Sequence, residues 1–248
     1  MNAYPAIATT SRLANRPTRL SREVATEVTG EIVRGTFPPG SVLPPEPALC
    51  ETFGVSRPVI REAIKFVEQN GLVRIRQGEG TTVLPRQEWN LLDPDVLRVA
   101  METEESGVLR EDVVTMRCDL ELAMLRRGAA KLTAADFAEM ESYLKIIDNA
   151  EDNDVLHDAD RAFHGVIYRA SGNEIARTIV NLLIAETRPV RYLGVPGPED
   201  FRIANKSHYR ILESLKGGKF DDAAEALREN IMRQWIVDRS DRLQQGTA

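Results

Sequence analysis

Between Gly40 and Val83 the chain reads GSVLPPEPALCETFGVSRPVIREAIKFVEQNGLVRIRQGEGTTV, and few folds accept that order of signals. Two short helical patterns meet at a tight turn, Phe53-Gly54-Val55. The second pattern stops at Asn70-Gly71, a pair suited to a left-handed helix end. Two short strands, Leu72 to Arg76 and Thr81 to Leu84, follow on either side of Gly78 and Gly80. Helix, turn, helix and ribbon in that order predict a winged helix-turn-helix.

Ser56 stands where an N-cap belongs, its hydroxyl able to accept an orphan amide of the first turn. Arg57 and Pro58 open the helix, where the missing amide hydrogen of proline costs little. Val59, Ile60, Ala63, Ile64 and Val67 share one face, and Arg57, Arg61 and Lys65, four apart, share the opposite one. Such a cationic stripe suits phosphates, and an arginine near the N-terminal end reaches a guanine edge in the major groove. In isolation a basic stripe is as a rule a solvated face. The cap, the turn and the ribbon around this one favour contact with DNA. Gly78 and Gly80 let backbone come close to a phosphate or a minor groove, although a plain hairpin turn uses glycine equally.

Residues 20–85 resemble the DNA-binding domain of the GntR-type bacterial transcription regulators. The resemblance rests on Phe37-Pro38-Pro39-Gly40-Ser41-Val42-Leu43-Pro44, on Gly54-Val55-Ser56-Arg57 and on Arg61-Glu62-Ala63. It implies that Ser56, Arg57, Pro58, Arg61 and the wing tip at Gln77 and Gly78 meet double-stranded operator DNA. Pro47 departs from the pattern, because the family usually has an arginine or similar polar residue there. That departure implies one lost contact and a shifted operator preference.

With 248 residues the chain is long enough for two modest domains. Its formal net charge of -6 and pI near 5.3 exclude a generic polyanion binder. Ser11 to Arg86 nevertheless carries 11 Lys and Arg against 8 Asp and Glu, a mildly basic head on an acidic body. Cys50 and Cys118 show no pairing or metal spacing, which points to a reducing cytoplasm. No apolar run approaches the roughly 18 residues a membrane span needs, and no signal pattern opens the chain. A cytoplasmic protein with no membrane partner is the expectation.

Residues 1–17 read as a flexible arm, 18–85 as the winged helix-turn-helix, 86–104 as a linker and first helix, and 105–243 as a helical effector-binding and dimerisation domain. Leu20, Val24, Val28 and Ile32 mark an amphipathic first helix ending near Gly35, and Trp89 is expected to pin the two halves together. Helical patterns run over 94–102, 108–131, 133–149, 153–171, 173–188, 200–217 and 219–243. Ser106-Gly107 and Thr133, the latter with Asp136, offer starts. Ser171-Gly172-Asn173 offers a stop, and Val195 to Pro198 reads as a loop. The fold class is mainly α, a winged helix-turn-helix followed by an antiparallel all-α bundle of six or seven helices.

Of three histidines, His164 lies four residues after Asp160 on one helical face, and His208 sits on a later helix. One carboxylate and two imidazoles from facing helices can hold Zn²⁺, Ni²⁺ or Mn²⁺, but the same spacing also makes a surface ion pair. His157 has no partner pattern and is expected to be exposed. Asp160-x-x-Phe163-His164, followed by Ala170-Ser171-Gly172-Asn173, is similar to the FCD domain of FadR-type regulators, over residues 108–242. That resemblance implies a divalent metal held by Asp160, His164, His208 and, in place of a usual third histidine, Asn230. A neutral amide is a poorer Zn²⁺ ligand than imidazole, and would lend its oxygen or hold a metal-bound water.

The resemblance also singles out Arg117 and Glu121, four apart. Arg117 either clamps the acid group of an effector or forms a structural pair with Glu121. Arg188 and Arg191 stand as cations at the pocket mouth or on a solvated face, and Trp235 as core packing or pocket lining. Trp89 to Leu97 resembles the branch that answers to sugar acids such as galactonate. The expected function is a homodimeric, ligand-responsive repressor of a carboxylate or sugar-acid operon, released by a small carboxylate. A metal-dependent enzyme using Asp160, His164 and His208 lacks a recognisable glutamate base, and a protein-binding winged helix is disfavoured by the basic stripe.

Overall fold

Val24, Ala25, Val28 and Ile32 are buried along one side of α1 (Arg19–Val33), and the first part of the chain is assembled on that stripe. The computed structural model describes residues 19–103, 107–187 and 198–245, apart from the side chains of 187, 198–200 and 233–245. The arm at 1–17, Ser106, Arg188, Arg191, the loop at 195–197 and the Trp235 side chain lie outside the described residues. The chain divides into two units, Met1–Thr103 and Glu104–Ala248.

In the first unit, α2 (Glu46–Phe53) ends at Gly54 with φ 64°, and α3 (Arg57–Gln69) leaves the turn with Ile60, Ala63, Ile64 and Val67 buried. The end of α3 is tightly specified. The Gly71 amide donates to the Glu68 carbonyl at 2.9 Å and the Leu72 amide to that of Val67 at 3.2 Å. Gly71 has φ 73°, and a Cβ there would stand 2.2 Å from the Glu88 carbonyl oxygen, so only glycine fits. β1 (Val73–Arg76) and β2 (Gly80–Val83) then pair antiparallel, Val73 opposite Val83 and Arg76 opposite Gly80. Val42 bridges to Thr82 on the other side of β2. The Glu68 carboxylate on α3 accepts the Ile75 amide at 2.8 Å, tying the wing to the helix before it.

Three expectations change here. Ser56 has the extended backbone of an N-cap, yet its hydroxyl makes no capping bond. Pro58 at the second helical position removes one of the two amides such a cap serves, and the side chain stays exposed. Trp89 packs half-buried on the first unit's own core, its indole N–H donating to the Leu84 carbonyl at 3.1 Å. α4 (Pro94–Thr103) packs back on α1, so the segment read as a linker belongs to the first unit.

The second unit comprises α5 (Val108–Gly128), α6 (Ala134–Asn149), α7 (Asn153–Ser171), α8 (Glu174–Thr187), α9 (Pro198–Lys216) and α10 (Phe220–Gln245). α5 packs on α7, α8 and α10, α6 on α7 and α9, and α9 on α10. Leu125, Met140, Leu144, Phe163 and Ile211 are fully buried where these faces meet. Gly128 permits the close crossing of α5 and α7, since a Cβ there would lie 2.7 Å from the Ser171 amide nitrogen. The described elements form a mainly α protein with a two-stranded wing, as the periodicity implied, and six of the seven predicted helices form the bundle. No helix among the described residues is long and apolar enough to cross a membrane.

Thr133 starts α6 with a reciprocal capping box, its hydroxyl accepting the Asp136 amide at 3.2 Å while the Asp136 carboxylate accepts the Thr133 amide at 2.9 Å. Arg169 of α7 donates to the same carboxylate at 3.1 Å. The Thr133 bonds and then Arg169 hold Asp136 below its ordinary pKa. Thr133→Ala is expected to cost about 0.5–2 kcal/mol in urea unfolding at neutral pH. Because Asp136 is depressed in the folded state, its contribution is present above the unfolded carboxylate pKa of about 4 and is lost as pH falls through the folded value. The gap between wild type and variant should therefore narrow in acid.

Candidate functional site

Ser56, Arg57, Pro58, Arg61, Gln77 and Gly78 are all exposed, the first four at the start of α3 and the last two at the turn between β1 and β2. Arg61 has a partner that spacing did not reveal: its Nε donates to both oxygens of Glu46 at the start of α2, each at 3.0 Å. That carboxylate raises the Arg61 pKa. Arg57 stands one turn earlier on the same face, at the amide-rich end of the helix where anions are favoured.

In the second unit the chemistry gathers on one face of α7. His157, Asp160, Arg161, His164 and Tyr168 recur at helical spacing, and α9 brings His208 against them. His208 Nε2 lies 3.2 Å from His164 Nε2 and 3.2 Å from an Asp160 oxygen. One donor atom from each of the three residues falls within 4.8 Å of the others. Ligands on a tetrahedral Zn²⁺, at about 2.0–2.1 Å from the metal, stand about 3.3–3.4 Å apart, so the close spacings match a coordination edge.

The orientation of both rings supports the same chemistry. Asn205 donates its amide N–H groups to the Leu144 carbonyl at 3.2 Å and to Asp148 at 2.7 Å, leaving its oxygen to face His208 Nδ1 at 3.2 Å. His164 Nδ1 faces a Glu121 oxygen at 3.4 Å. With the proton of each neutral ring on the Nδ1 that faces an acceptor, both Nε2 atoms are left as acceptors 3.2 Å apart, and the Asp160 carboxylate, 3.2 Å from His208, completes a set that a cation would satisfy. Burial holds the His164 pKa below that of free imidazole, against the pull of Glu121 and Asp160. For Asp160, burial acts upward but is outweighed by His208, His164 and Arg117, and the pKa is lowered. The residues present therefore fit a divalent metal.

Asn230 of α10 also reaches the cluster, but with its nitrogen. Its Nδ2 lies 2.8 Å from Ser207 Oγ and 3.1 Å from His208 Nε2.

Arg117 and Glu121 of α5 are 4% and 0% exposed, and Arg117 Nε donates to a Glu121 oxygen. Burial alone would lower the guanidinium pKa; Glu121 reverses this, and it is raised. Burial, then Glu121, pushes the Tyr168 phenol well above its ordinary value. A cavity of about 160 Å³ opens beside this group, lined among the described residues by Arg117, His157, Asp160, Arg161, His164, Ile184 and Ala185. His157 is thus a lining residue, half-buried with its ring edge-on to Phe201 at 4.7 Å, and not the exposed side chain expected. Its spacing of three and seven residues from Asp160 and His164 was the available signal. Asn205 and Ser207 gave none, because ordinary helix positions become ring-orienting groups only when α9 meets α6 and α10.

Comparisons with known proteins agree with this division. The family model described as "Bacterial regulatory proteins, gntR family" matches residues 20–83, and the model described as "FCD domain" matches residues 112–233. The galactonate operon transcriptional repressor of Escherichia coli K12 is 33% identical over 150 residues, which is 60% of this chain and 66% of that protein. The transcriptional regulator LutR of Bacillus subtilis 168 is 30% identical over 202 residues, 79% of this chain and 90% of its own. Among solved structures, the Listeria monocytogenes protein titled as Lar, controlling expression of the agr system, superposes with a TM-score of 0.57. That likeness covers 91% of this chain and 99% of the other at 18% identity, and it shows the fold.

Removing one member of the buried pair should be far worse than removing both. Glu121→Ala strands a guanidinium in the interior and is expected to cost about 3–5 kcal/mol in urea unfolding, whereas Arg117→Met with Glu121→Leu should cost much less. Equal costs for the single and double variants would show that the pair is not a coupled ionic unit.

Proposed function

This chain belongs to the GntR family of bacterial regulatory proteins, with an FCD domain as its second unit, and we propose that it represses a carboxylate-utilisation operon until a small acid occupies the cavity beside Asp160, His164 and His208. Family membership makes it a ligand-responsive DNA-binding transcription regulator and not an enzyme. The observation that carries the finer reading is the cavity lining. Two guanidinium groups and two imidazoles face it against one carboxylate, with Ile184 and Ala185 as an apolar wall. Such a lining favours an anion with a short carbon chain. Its volume is in the class of the engineered cavity of about 150 Å³ that admits benzene, which suits a compact acid. A sugar acid is the favoured class, since one relative is named for a galactonate operon.

Asp160, His164 and His208 would hold a divalent cation (Zn²⁺, Ni²⁺ or Mn²⁺), which when bound supplies a Lewis-acidic anchor for the effector's oxygens. Arg117, oriented by Glu121, would pair with the carboxylate, and Arg161 and His157 would close the side away from α5. On the first unit, Arg57 and Arg61 would enter the major groove, Ser56 and Pro58 would sit against a phosphate, and Gln77 and Gly78 would bring the wing to the backbone or minor groove. The Ser56 hydroxyl, free of a capping bond, is available to a phosphate oxygen. A cytoplasmic homodimer presenting two such units fits a two-fold symmetric operator.

Fluorescence anisotropy with labelled DNA from the protein's own upstream region tests the reading. Arg57→Ala and Arg61→Ala should each weaken specific binding by about 1–3 kcal/mol if they read bases, and should reduce the salt slope by about one if they meet phosphates. Unchanged affinity in both variants would remove α3 from the interface. A sugar acid that is the effector should lower operator affinity by roughly 5–150-fold, and the double variant Arg117→Met with Glu121→Leu, which strands no buried charge, should abolish that response while leaving ligand-free operator binding intact.

A further inference from the structure

Asn230 faces the cluster with the wrong end for a ligand, and the hydrogen bonds around it explain why. Ser207 Oγ donates its proton to the Ala204 carbonyl at 2.6 Å, so toward Asn230 it can only accept. The group that meets it at 2.8 Å must therefore be the amide NH₂. The second N–H of that group points at His208 Nε2, 3.1 Å away. With the ring neutral and its proton on the Nδ1 turned to the Asn205 oxygen, Nε2 offers a lone pair to receive it, on the same nitrogen that lies 3.2 Å from an Asp160 oxygen and from His164 Nε2. Asn230 is 3% exposed.

The lone pair that Asn230 occupies is the one a metal would need. We propose that Asn230 is an internal competitor for the metal: its amide hydrogen bond closes the site when the metal is absent and must be surrendered when the metal binds. This rests on the reading of Asp160, His164 and His208 as the donor set. An N–H dipole aimed at the cation's position is repelled by positive charge, and turning the amide over to present its oxygen breaks the Ser207 contact as it stands. The consequence is a site that holds metal reversibly and keeps its ring geometry when empty, so that the ion is an exchangeable input alongside the acid.

The opposite role, Asn230 as a ligand or as the anchor of a metal-bound water, predicts the opposite effect of truncation, which makes the test sharp. Zn²⁺ affinity of the full chain is measured by competition with a chromophoric chelator. Asn230→Ala is expected to bind Zn²⁺ roughly 3–10-fold more tightly than wild type, by release of one competing hydrogen bond. Its metal-free form should melt at lower temperature, because Ser207 and His208 lose a donor. Asn230→Ser, whose hydroxyl is too short to reach His208, should behave in the same way and serves if the alanine variant folds poorly. Asn230→His, which replaces the competing N–H with a third imidazole, should tighten binding by roughly tenfold or more. Equal or weaker Zn²⁺ affinity in Asn230→Ala and Asn230→Ser overturns the proposal. Failure of wild type, Asn230→Ala and Asn230→His alike to bind Zn²⁺ overturns it together with the donor set, while operator binding by the wild type, measured separately, shows whether the regulatory reading stands.

Discussion

The carboxylate of Glu121 is wholly shut away from water, and the second unit is arranged around neutralising it. An unpaired charge in such a place carries a desolvation penalty of several kcal/mol, so the surroundings must supply compensation. Arg117, one turn earlier on α5, supplies the charge, and His164 of α7 presents its Nδ1 edge to the second oxygen. Each contact has a second effect. The guanidinium is held beside the cavity, and the imidazole is rotated so that its other nitrogen meets His208 Nε2. One buried carboxylate therefore orients both a guanidinium beside the cavity and an imidazole of the Asp160–His164–His208 cluster.

The same logic runs from the opposite side of the cluster. Asp148 accepts from Asn205 and from the Tyr209 hydroxyl, both at 2.7 Å, and so anchors α9 to α6. Asn205 passes that constraint to His208. The face carrying Asp160, His164 and His208 thus has α5 behind one imidazole and α6 behind the other. A shift of either helix on ligand binding would change how the two rings converge, which gives the bundle a physical means of sensing occupancy.

The first unit meets its partner with far less pre-arrangement. Its candidate DNA contacts are exposed, and the Arg61–Glu46 pair is a surface pair that salt and phosphate can displace at small cost. Weak restraint is appropriate there, because a phosphate supplies its own charge and the groove its own shape. Rigidity is confined to the frame, where Gly71, the Glu68 contact with Ile75 and the buried side of α3 set the angle between helix and wing.

Periodicity and punctuation carried most of the architecture. The Val24 to Ile32 stripe, the Gly54 and Gly71 stops, the Thr133–Asp136 capping pair and the Gly172 end are local signals, and each appears in the fold where its chemistry requires. Asp160 and His164 were legible because they lie four residues apart on a single helix, and Arg117 and Glu121 through the resemblance to the FCD domain. Ser56, Trp89, His157 and Asn230 were not, since their roles depend on what comes to face them: a proline that removes an amide, a core that receives an indole, a helix that brings Phe201, and a serine whose proton is already committed. By itself the sequence determined which residues share a turn or a face, because backbone geometry is set within a few residues. Only the tertiary structure decided which way a ring or an amide points, because that choice is made by donors and acceptors from helices far apart along the chain.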